Sequence, residues 1–401
     1  MYRIIFLYFA FSVVYLFVLS VWGRLFYRRS ATGNGAGSGP GRRRIALLVP
    51  AYKEDGIILS TAESLLSLDY PRHLFDVFII ADSFKPETLV TLRSLQVNVI
   101  EVSFEKSTKT KSLNEAFRRI GEPYDIALIC DADNILAADF LQRIDGAFSA
   151  GARAVQGCRV AKNLDSPFAI LDACSEAINN HIFRRGSNAI GLSSAVIGSG
   201  MAFEYGMVRD ILSRIDAVGG FDKILQLEIV RQGISIRYLA DALVFDEKVS
   251  TSAAFQQQRK RWVSSQYIYF RRFFLPACLQ LVKGNVSYFN LAVLCNVVLP
   301  RAFLLAVLPL FAASSFILGV TPGLAATGLW LLYMLTLALA LPAGLINRDF
   351  WRAILRLPRA VGLMLGTLFQ VKKANKTFIH TVHTKTEVTN YLFTENKHKN
   401  G

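Results

Sequence analysis

The chain has 401 residues, of which 52% are hydrophobic and 19% are charged, and its formal net charge is +15. That apolar share is too high for an ordinary soluble enzyme of this size, so the composition indicates a membrane protein. The five cysteines are scattered without metal-ligand spacing, and their odd number fits a reducing compartment better than a disulfide framework.

The first element is an uncharged stretch from Ile4 to Trp22. It has about the length needed to cross a bilayer core, roughly 20 residues, and its many Leu, Val, Ile and Phe residues favour insertion. A cleaved signal peptide is the alternative. The stretch is longer than the apolar region of such a peptide, however, and no small-residue cleavage site follows it. The sequence therefore predicts a transmembrane helix over residues 1–23.

A basic linker rich in Gly and Ser follows over residues 24–43. Six arginines lie in this linker or directly after it: Arg24, Arg28, Arg29, Arg42, Arg43 and Arg44. Positive charge beside a span is retained on the cytoplasmic side. The next domain is therefore predicted to be cytoplasmic, in an integral protein of the inner or plasma membrane.

Residues 44–266 have the composition of a soluble α/β domain. The apolar runs "RIALLVPAY", "FDVFIIADS", "VNVIEVS" and "DIALICDAD" alternate with helical patterns such as "TKSLNEAFRRI". This alternation predicts a largely parallel, Rossmann-like sheet with helices on both faces. Ligands of such sheets bind beyond the carboxyl ends of the strands, where Asp82, Asp131 and Asp133 fall.

The two aspartates of "DAD" follow a buried strand with one alanine between them. Two carboxylates held this close repel each other unless a cation or hydrogen-bond donors lie between them. Oxygen ligands of this type suit Mg²⁺ or Mn²⁺, with substrate phosphates completing the coordination. A solvated turn that caps a helix is the alternative for this short pattern taken alone.

Further motifs accompany "DADN" along the same domain: "VPAYKEDGIILSTAESLLSLDYP", "ADS", "KTKSLNEAF", "GSGMAFE" and "QQQRKRW". In order and rough spacing they resemble the family-two glycosyltransferases, in the membrane-embedded branch that includes cellulose, hyaluronan and bacterial polysaccharide synthases. The resemblance covers Arg44 to Gln266 in detail and continues beyond only as architecture. It implies a GT-A-type fold and a nucleotide-sugar donor.

The resemblance assigns the donor to a set of positions at the strand ends: Pro50, Ala51, Tyr52, Glu54, Asp82, Lys109, Lys111 and Asp131. The first three would pack around the base, and the next two would accept hydrogen bonds from base and ribose. The lysines would offset phosphate charge, and Asp131 would hold the ribose or the outer waters of the metal. Asp133 would bind the metal that bridges the two phosphates.

Two motifs are assigned to the sugars and the diphosphate. In "GSG", the glycines let backbone approach the acceptor sugar closely; the positions are Gly198, Ser199 and Gly200. Within "QQQRKRW", Gln258 and Arg261 would contact the donor diphosphate, and Trp262 would lie against the acceptor sugar. A basic membrane-surface face and an interfacial tryptophan remain the alternatives.

The general base is where the sequence departs from the family pattern. Relatives carry a Glu-Asp pair about three helical turns before a glycine, and here Phe221 stands in place of the glutamate. Counting back from Gly233 puts Asp222 at the aspartate position. An N-cap is the alternative role for Asp222, and Glu228 is the rival base, about a turn and a half further along the helix.

Residues 267–371 return to membrane character. The stretch Ser287 to Gly319 contains Pro300, which predicts a kink or a two-part segment, and 322–346 is a clearer span. Four arginines lie in or beside the following stretch, 350–371. It is therefore interpreted as an interfacial or re-entrant helix, with a further crossing left open.

The tail over 372–401 is basic, and its "FIHTVHTKTE" tract contains His380, Thr381, His383, Thr384 and Lys385. Related synthases place a mobile loop with such a tract over the nucleotide, which implies a gating role. A tail without a role is the alternative. Two histidines without a third clear ligand do not indicate a metal site.

Together these features predict an inverting, metal-dependent hexosyltransferase that uses a nucleotide sugar, UDP-linked, and a polysaccharide or lipid-linked acceptor. The expected partners are the donor, a glycan or lipid-linked acceptor and membrane lipids, with no nucleic acid. A non-catalytic membrane subunit that keeps the fold is the second hypothesis, and processive synthesis and single transfer both remain open. No intramembrane carboxylate or inverted repeat supports a transporter.

Overall fold

The structure is a computed structural model that describes residues 1–27, 42–121, 123–217, 219–358, 361–362 and 383–390. In the helix over 252–282 it describes the backbone but not the side chains of 252–255, 257 and 259–263. The chain forms two compact units. The helical unit comprises Met1–Arg28, Asp165–Ser193 and Val249–Lys372, and the sheet unit comprises Arg29–Leu164, Ser194–Lys248 and Lys373–Gly401.

The sheet unit is built on eight strands: β1 Ile45–Tyr52, β2 Phe75–Asp82, β3 Asn98–Val102, β4 Ile126–Ile129, β5 Ile135–Leu136, β6 Ala154–Ala161, β7 Met201–Glu204 and β8 Ile236–Asp246. Their order is β3-β2-β1-β4-β7-β6-β8-β5. The first half, β3 to β4, is parallel as predicted. The sheet as a whole is mixed rather than largely parallel, because β7 runs antiparallel between β4 and β6, and β5 runs antiparallel to β8.

The helices in chain order are α1 Tyr2–Leu25, α2 Ile58–Leu66, α3 Pro86–Ser94, α4 Lys109–Arg119, α5 Phe140–Ser149, α6 Pro167–Asn179, α7 Ser187–Ala189, α8 Tyr205–Leu212, α9 Phe221–Arg231, α10 Ser252–Val282, α11 Val286–Phe289, α12 Cys295–Val297, α13 Arg301–Ser315, α14 Val320–Ala340 and α15 Arg348–Ile354. A wider helical turn, Asn180–Gly186, joins α6 to α7. The segment Asp165–Ser193 packs in the helical unit, although it lies inside the 44–266 range drawn from the sequence.

The core of the sheet unit explains why its central strands read as continuous apolar runs. Ile45 and Leu47 of β1 and Ile126 and Leu128 of β4 are fully buried in one cluster with side chains of α2 and α5. Strands covered on both faces carry apolar residues at successive positions. The rigid sheet that results fixes the loops at its strand ends.

Within the described part of the helical unit, three helices are long and apolar enough to cross a membrane: Tyr2–Leu25, Arg301–Leu318 and Val320–Ala340. The stretch Ser287 to Gly319 is in two parts, as predicted. Its chain becomes extended at Val298, and Pro300 caps the start of α13. Of the predicted interfacial helix over 350–371, the structure describes α15 and the residues to 358, with 361–362; the rest lies outside the described residues.

A close backbone crossing also marks the helical unit. A Cβ added at Gly186 would meet the carbonyl carbon of Leu19 on α1 at 2.9 Å and the carbonyl oxygen closer still. His181 contacts the Ser20 carbonyl through Nε2 at 2.9 Å. Only a residue without a side chain fits where the backbone of this segment meets α1.

Candidate active site

Three carboxylates converge at the carboxyl-end edge of the sheet. One oxygen from each of Asp131, Asp133 and Asp246 lies within 4.8 Å of the other two. The short strand β5 explains the convergence, because Ile135 pairs with Phe245 at the end of β8. This pairing draws the loop after β4 toward the end of β8, so that two stretches 112 residues apart share one site.

Asp131 is held by the motif residues that the sequence analysis grouped with it. The ammonium of Lys109 forms an ion pair with Oδ1 of Asp131 and donates to the carbonyl of Gly198 at 2.7 Å. The backbone N–H of Asp131 donates to Oγ of Ser199 at 2.9 Å. The "DAD" and "GSG" loops are thus joined directly, and the positive φ values of Gly198 and Gly200 permit their tight course.

Asp133 is buried at the centre of the cluster. Its Oδ2 accepts the backbone N–H of Glu247 at 3.1 Å, and its Oδ1 accepts the side-chain amide of Asn134 at 3.3 Å. Burial raises the pKa of Asp133 to about 6, and the charges of Asp246 and Asp131 add to that rise, against the lowering effects of His383 and Lys162. A cation among these oxygens would favour the ionised form.

Asp246 was missed by the sequence analysis. Its Oδ2 accepts from Nζ of Lys248 at 2.8 Å, and its Oδ1 lies 3.9 Å from Nη1 of Arg159. The signal was nonetheless present in the sequence, because "ALVFDE" is another apolar run that ends on acidic residues, as "ALICDAD" does.

The donor set fits a divalent cation of the Mg²⁺ or Mn²⁺ type. All the candidate ligands are hard carboxylate oxygens, which these ions prefer. Asp133 would serve as the main ligand, with Asp246 and Asp131 beside it. Within the described residues, no Lys or Arg nitrogen lies within 4.0 Å of the Asp133 carboxylate, and the nearby charges that favour its ionised form are those of His383 and Lys162.

The end of β2 carries a buried carboxylate with one unengaged oxygen. Asp82 is 1% exposed; its Oδ1 accepts from the hydroxyl of Ser83 at 2.9 Å, and its Oδ2 has no hydrogen-bond partner among the described residues. Tyr52 at the end of β1 pairs with Asp82 across the sheet, next to Pro50 and Ala51. Lys53 and Ser83 both have positive φ, 55° and 60°, a strained conformation that clusters at functional sites.

The tail segment 383–390, here called the strap, lies across these strand ends within the sheet unit. The N–H groups of Thr384 and Lys385 donate to Oε2 of Glu247 at 3.0 and 2.9 Å. The ammonium of Lys162 donates to the carbonyl of Lys385 at 2.9 Å and also to the carbonyl of Asp133. One buried lysine therefore joins the strap to the carboxylate cluster. His380 and Thr381 of the predicted gating tract lie outside the described residues.

His383 anchors the start of the strap to a predicted nucleotide contact. Its Nδ1 lies 2.9 Å from Oε1 of Glu54. Burial alone would lower the pKa of His383, but the hydrogen bond to Glu54 and the charges of Asp133, Glu54 and Glu247 outweigh it and raise that pKa to about 10. The raised pKa lies above the value of about 6.5 for a free imidazole. The stability that the contact contributes is therefore fully present below that pH and is lost as the pH rises toward 10.

The predicted base lies at the start of α9. Gly220 is the N-cap with φ 68°, so Asp222 occupies the first turn and does not cap the helix. The Lys109 ammonium lies 5.5 Å from the ring centroid of Phe221, which places this helix start beside the lysine that holds Asp131. Glu228 lies about one and a half turns further along the helix than Asp222, and it forms an ion pair with Arg231 at 2.5 Å.

Four more residues with predicted roles lie on α4 and α10. Lys111 donates to the carbonyl of Lys106 at 3.0 Å on the exposed side of α4. Gln258, Arg261 and Trp262 all lie on α10 of the helical unit. The side chains of Arg261 and Trp262 lie outside the described residues, so the roles assigned to this motif stay predictions.

The mixed sheet and the acidic loop at its strand ends define a GT-A glycosyltransferase fold. Residues 40–265 match the family described as "Glycosyltransferase like family 2". That range is more than half of the chain, and the protein belongs to this family, as its motifs predicted. The mannosyltransferase PcManGT from Pyrobaculum calidifontis, in complex with GDP-Man and Mn²⁺, has a TM-score of 0.53 at 18% identity, over 90% of this chain and 96% of that one. This likeness concerns the fold.

Curated relatives share the same region. Beta-monoglucosyldiacylglycerol synthase of Synechocystis sp. (strain PCC 6803) is 26% identical over 277 residues, which cover 65% of this chain and 55% of that protein. The probable glycosyltransferase YdaM of Bacillus subtilis is 22% identical over 263 residues, 61% of this chain and 60% of that protein. The chain therefore spans little more than half the length of these relatives.

Proposed function

We propose that the protein is a membrane glycosyltransferase that moves a hexose from a UDP-linked donor to a lipid acceptor, with inversion and with a divalent metal. The observation that carries the proposal is the convergence of Asp131, Asp133 and Asp246 at one sheet edge. Asp82 adds an unbonded carboxylate oxygen on β2, at the carboxyl-end edge of the same sheet. Together they provide positions for a diphosphate with its cation and for a nucleoside.

In the proposed mechanism each residue has a separate task. Asp82 and Glu54 hold the nucleoside, and Lys109 offsets charge on the diphosphate. Asp133 and Asp246 would hold the metal ion, which would stabilise the negative charge of the leaving diphosphate. Asp222 accepts the proton of the acceptor hydroxyl as its oxygen attacks C1 of the sugar. A single displacement from the face opposite the leaving group inverts the anomeric carbon.

A lipid acceptor is supported by two observations. The curated relatives from cyanobacteria are named for the synthesis of a glucosylated diacylglycerol, and three described helices are long and apolar enough to cross a membrane. A polysaccharide acceptor, extended by repeated transfer, is the alternative within the same chemistry. The catalytic unit is placed in the cytoplasm, where nucleotide sugars are made, in keeping with the arginines around the first helix.

The strap is proposed to close over the bound donor. Its histidine binds Glu54, and its backbone is held by Glu247 and Lys162 beside the carboxylates. Contacts of this kind let the strap respond to occupation of the site. The function of a gate would be to exclude water while the donor is activated.

A non-catalytic, glycan-binding subunit is the second candidate, because Phe221 stands where relatives carry an acidic residue. Incubating membranes that contain the protein with a panel of labelled nucleotide sugars separates the two. The enzyme labels an organic-soluble product from one UDP-sugar, loses activity in EDTA and regains it with Mn²⁺. Label from no donor in the panel, with the protein shown to be folded, would support the binding subunit.

A further inference from the structure

Two nearly inaccessible lysines lie beside the carboxylate cluster. Lys162 is 1% exposed and Lys248 is 2% exposed. Burying an ammonium is costly unless it is paired and hydrogen-bonded. Lys162 satisfies this through two backbone carbonyls, but Lys248 does so through the carboxylate of Asp246.

The position of Lys248 is fixed by its own backbone. Its N–H donates to Oδ1 of Asn163 at 2.7 Å, and its carbonyl accepts from Nδ2 of the same side chain at 3.1 Å. Asn163 is 1% exposed, so the peptide at 248 is clamped from within the unit. This clamp brings the ammonium to Oδ2 of Asp246 at 2.8 Å.

The carboxylate of Asp246 is thereby bonded to an ammonium group, and that of Asp133 is not. Its Oδ1 faces the Asn134 amide at 3.4 Å and Arg159 at 3.9 Å, and its Oδ2 faces the ammonium. The oxygens of Asp133 accept only from neutral N–H donors among the described residues. A divalent cation could bind Asp133 directly, whereas the ammonium must leave before the cation can bind Oδ2 of Asp246.

We propose that Lys248 is an internal counter-ion that competes with the divalent metal for Asp246 and so sets the metal affinity of the site. The proposal rests on the metal-dependent function above. The displaced ammonium stays beside the cluster because its backbone is clamped, and the diphosphate offers it a new negative partner. Nucleotide and metal therefore bind cooperatively, and the free protein holds metal weakly.

The test is a Mn²⁺ titration of the purified chain in which electron paramagnetic resonance measures free Mn²⁺. The titration is done first without nucleotide and then with UDP. Removing the competing charge in Lys248→Met tightens Mn²⁺ binding without nucleotide by at least about tenfold. The gain in affinity on adding UDP shrinks in the same variant. Lys248→Arg keeps the charge and the wild-type affinity, and Lys283→Met, a change at an exposed lysine of the helical unit, changes neither value.

A folded Lys248→Met protein with unchanged or weaker Mn²⁺ binding overturns the proposal, since a merely structural lysine cannot tighten binding when it is removed. If that variant is unstable, Lys248→Gln replaces it, because glutamine keeps a polar end. Adding Mn²⁺ is then expected to raise the melting temperature of Lys248→Gln by more than that of the wild type. An equal or smaller rise counts against the proposal. Failure of every chain, wild type included, to bind Mn²⁺ even with UDP would instead refute the metal site, and with it the metal-dependent function.

Discussion

Asp133 must satisfy two requirements that conflict for an ordinary carboxylate. It is buried, which favours the neutral acid, and it must be ionised to bind a cation. Its raised pKa of about 6 reflects burial first and the neighbouring aspartates next. A divalent ion resolves the conflict, because its charge adds to those of His383 and Lys162, which already favour the ionised form.

The first prediction follows from that role. We expect Asp133→Asn to fold normally, because the amide keeps the shape of the side chain and removes a buried charge. Sugar transfer and Mn²⁺-dependent UDP binding should both be abolished. Calorimetry and a transfer assay measure the two effects, with Asp210→Asn at an exposed position as the control. Near-normal transfer by the Asp133 variant would remove the metal role.

The second prediction concerns the base. Asp222→Asn is expected to lower the transfer rate by at least about a hundredfold, the lower end of general-base contributions, while UDP binding is unchanged. Glu228→Gln is the matched control, because Glu228 is engaged with Arg231 about 9 Å further along the helix axis. The assignment is wrong if the Glu228 variant loses activity and the Asp222 variant does not.

Single residues differed in how far the sequence could predict them. Asp82, Asp131 and Asp133 were predicted because each ends or follows an apolar run that predicts a strand. Asp246 was missed because Arg237 and Asp241 interrupt its strand, so that only the last part, "ALVF", reads as an apolar run. The role of Lys248 was not predictable, since it depends on a contact with the buried Asn163 that sequence spacing does not reveal.

At the scale of elements, the strap depends on a few directed bonds. Glu247 accepts the N–H groups of both Thr384 and Lys385. Glu247→Ala removes both bonds, and hydrogen exchange in residues 383–390 should quicken by at least about tenfold. The free energy of hydrogen bonds to a charged acceptor corresponds to more than a tenfold change in the opening equilibrium. Glu204→Ala, which breaks an exposed ion pair with Arg153, is the control. Unchanged exchange in the strap would show that Glu247 does not hold it.

The close crossing in the helical unit allows a stability prediction. Replacing glycine by alanine normally stabilises a helix by roughly 1 kcal/mol. At position 186, however, the added methyl group clashes with the backbone of Leu19. The clash should dominate and destabilise the protein by about 1–3 kcal/mol, read as a lower melting temperature in detergent. Gly206→Ala, where nothing lies within 4 Å of the new methyl, should be neutral or stabilising. Equal melting temperatures for the two variants would contradict the packing account.

Elements were predictable where one local pattern decides them. β1, β2 and β4 are buried on both faces and stand out as apolar runs, and α4 shows a clear helical period. β6 and β7 did not stand out, because the strand "AVQGCRVA" carries Gln156 and Arg159 and "MAFE" has only three apolar residues before Glu204. The antiparallel place of β7 is set by pairing with distant strands, which no local pattern contains.

The distribution of arginines predicts how the whole chain is oriented in the membrane. Arginines follow the first predicted span, and others lie at 348, 352 and 356 after the last described long helix. The positive-inside tendency then predicts that the sheet unit and the tail are both cytoplasmic. A reporter fused after Gly401 should be active only in the cytoplasm. Activity confined to the outer side would contradict this and favour a further crossing within 350–371.

The central claim is that this site transfers a sugar from a nucleotide sugar. The most direct test incubates the purified chain with a doubly labelled UDP-sugar and lipid vesicles, and measures released UDP and lipid-bound sugar together. We expect equal amounts of the two products from the wild type, an anomeric configuration opposite to that of the donor, and neither product from Asp133→Asn. Release of UDP without any glycosylated product, or equal product from the Asp133 variant, would contradict the account.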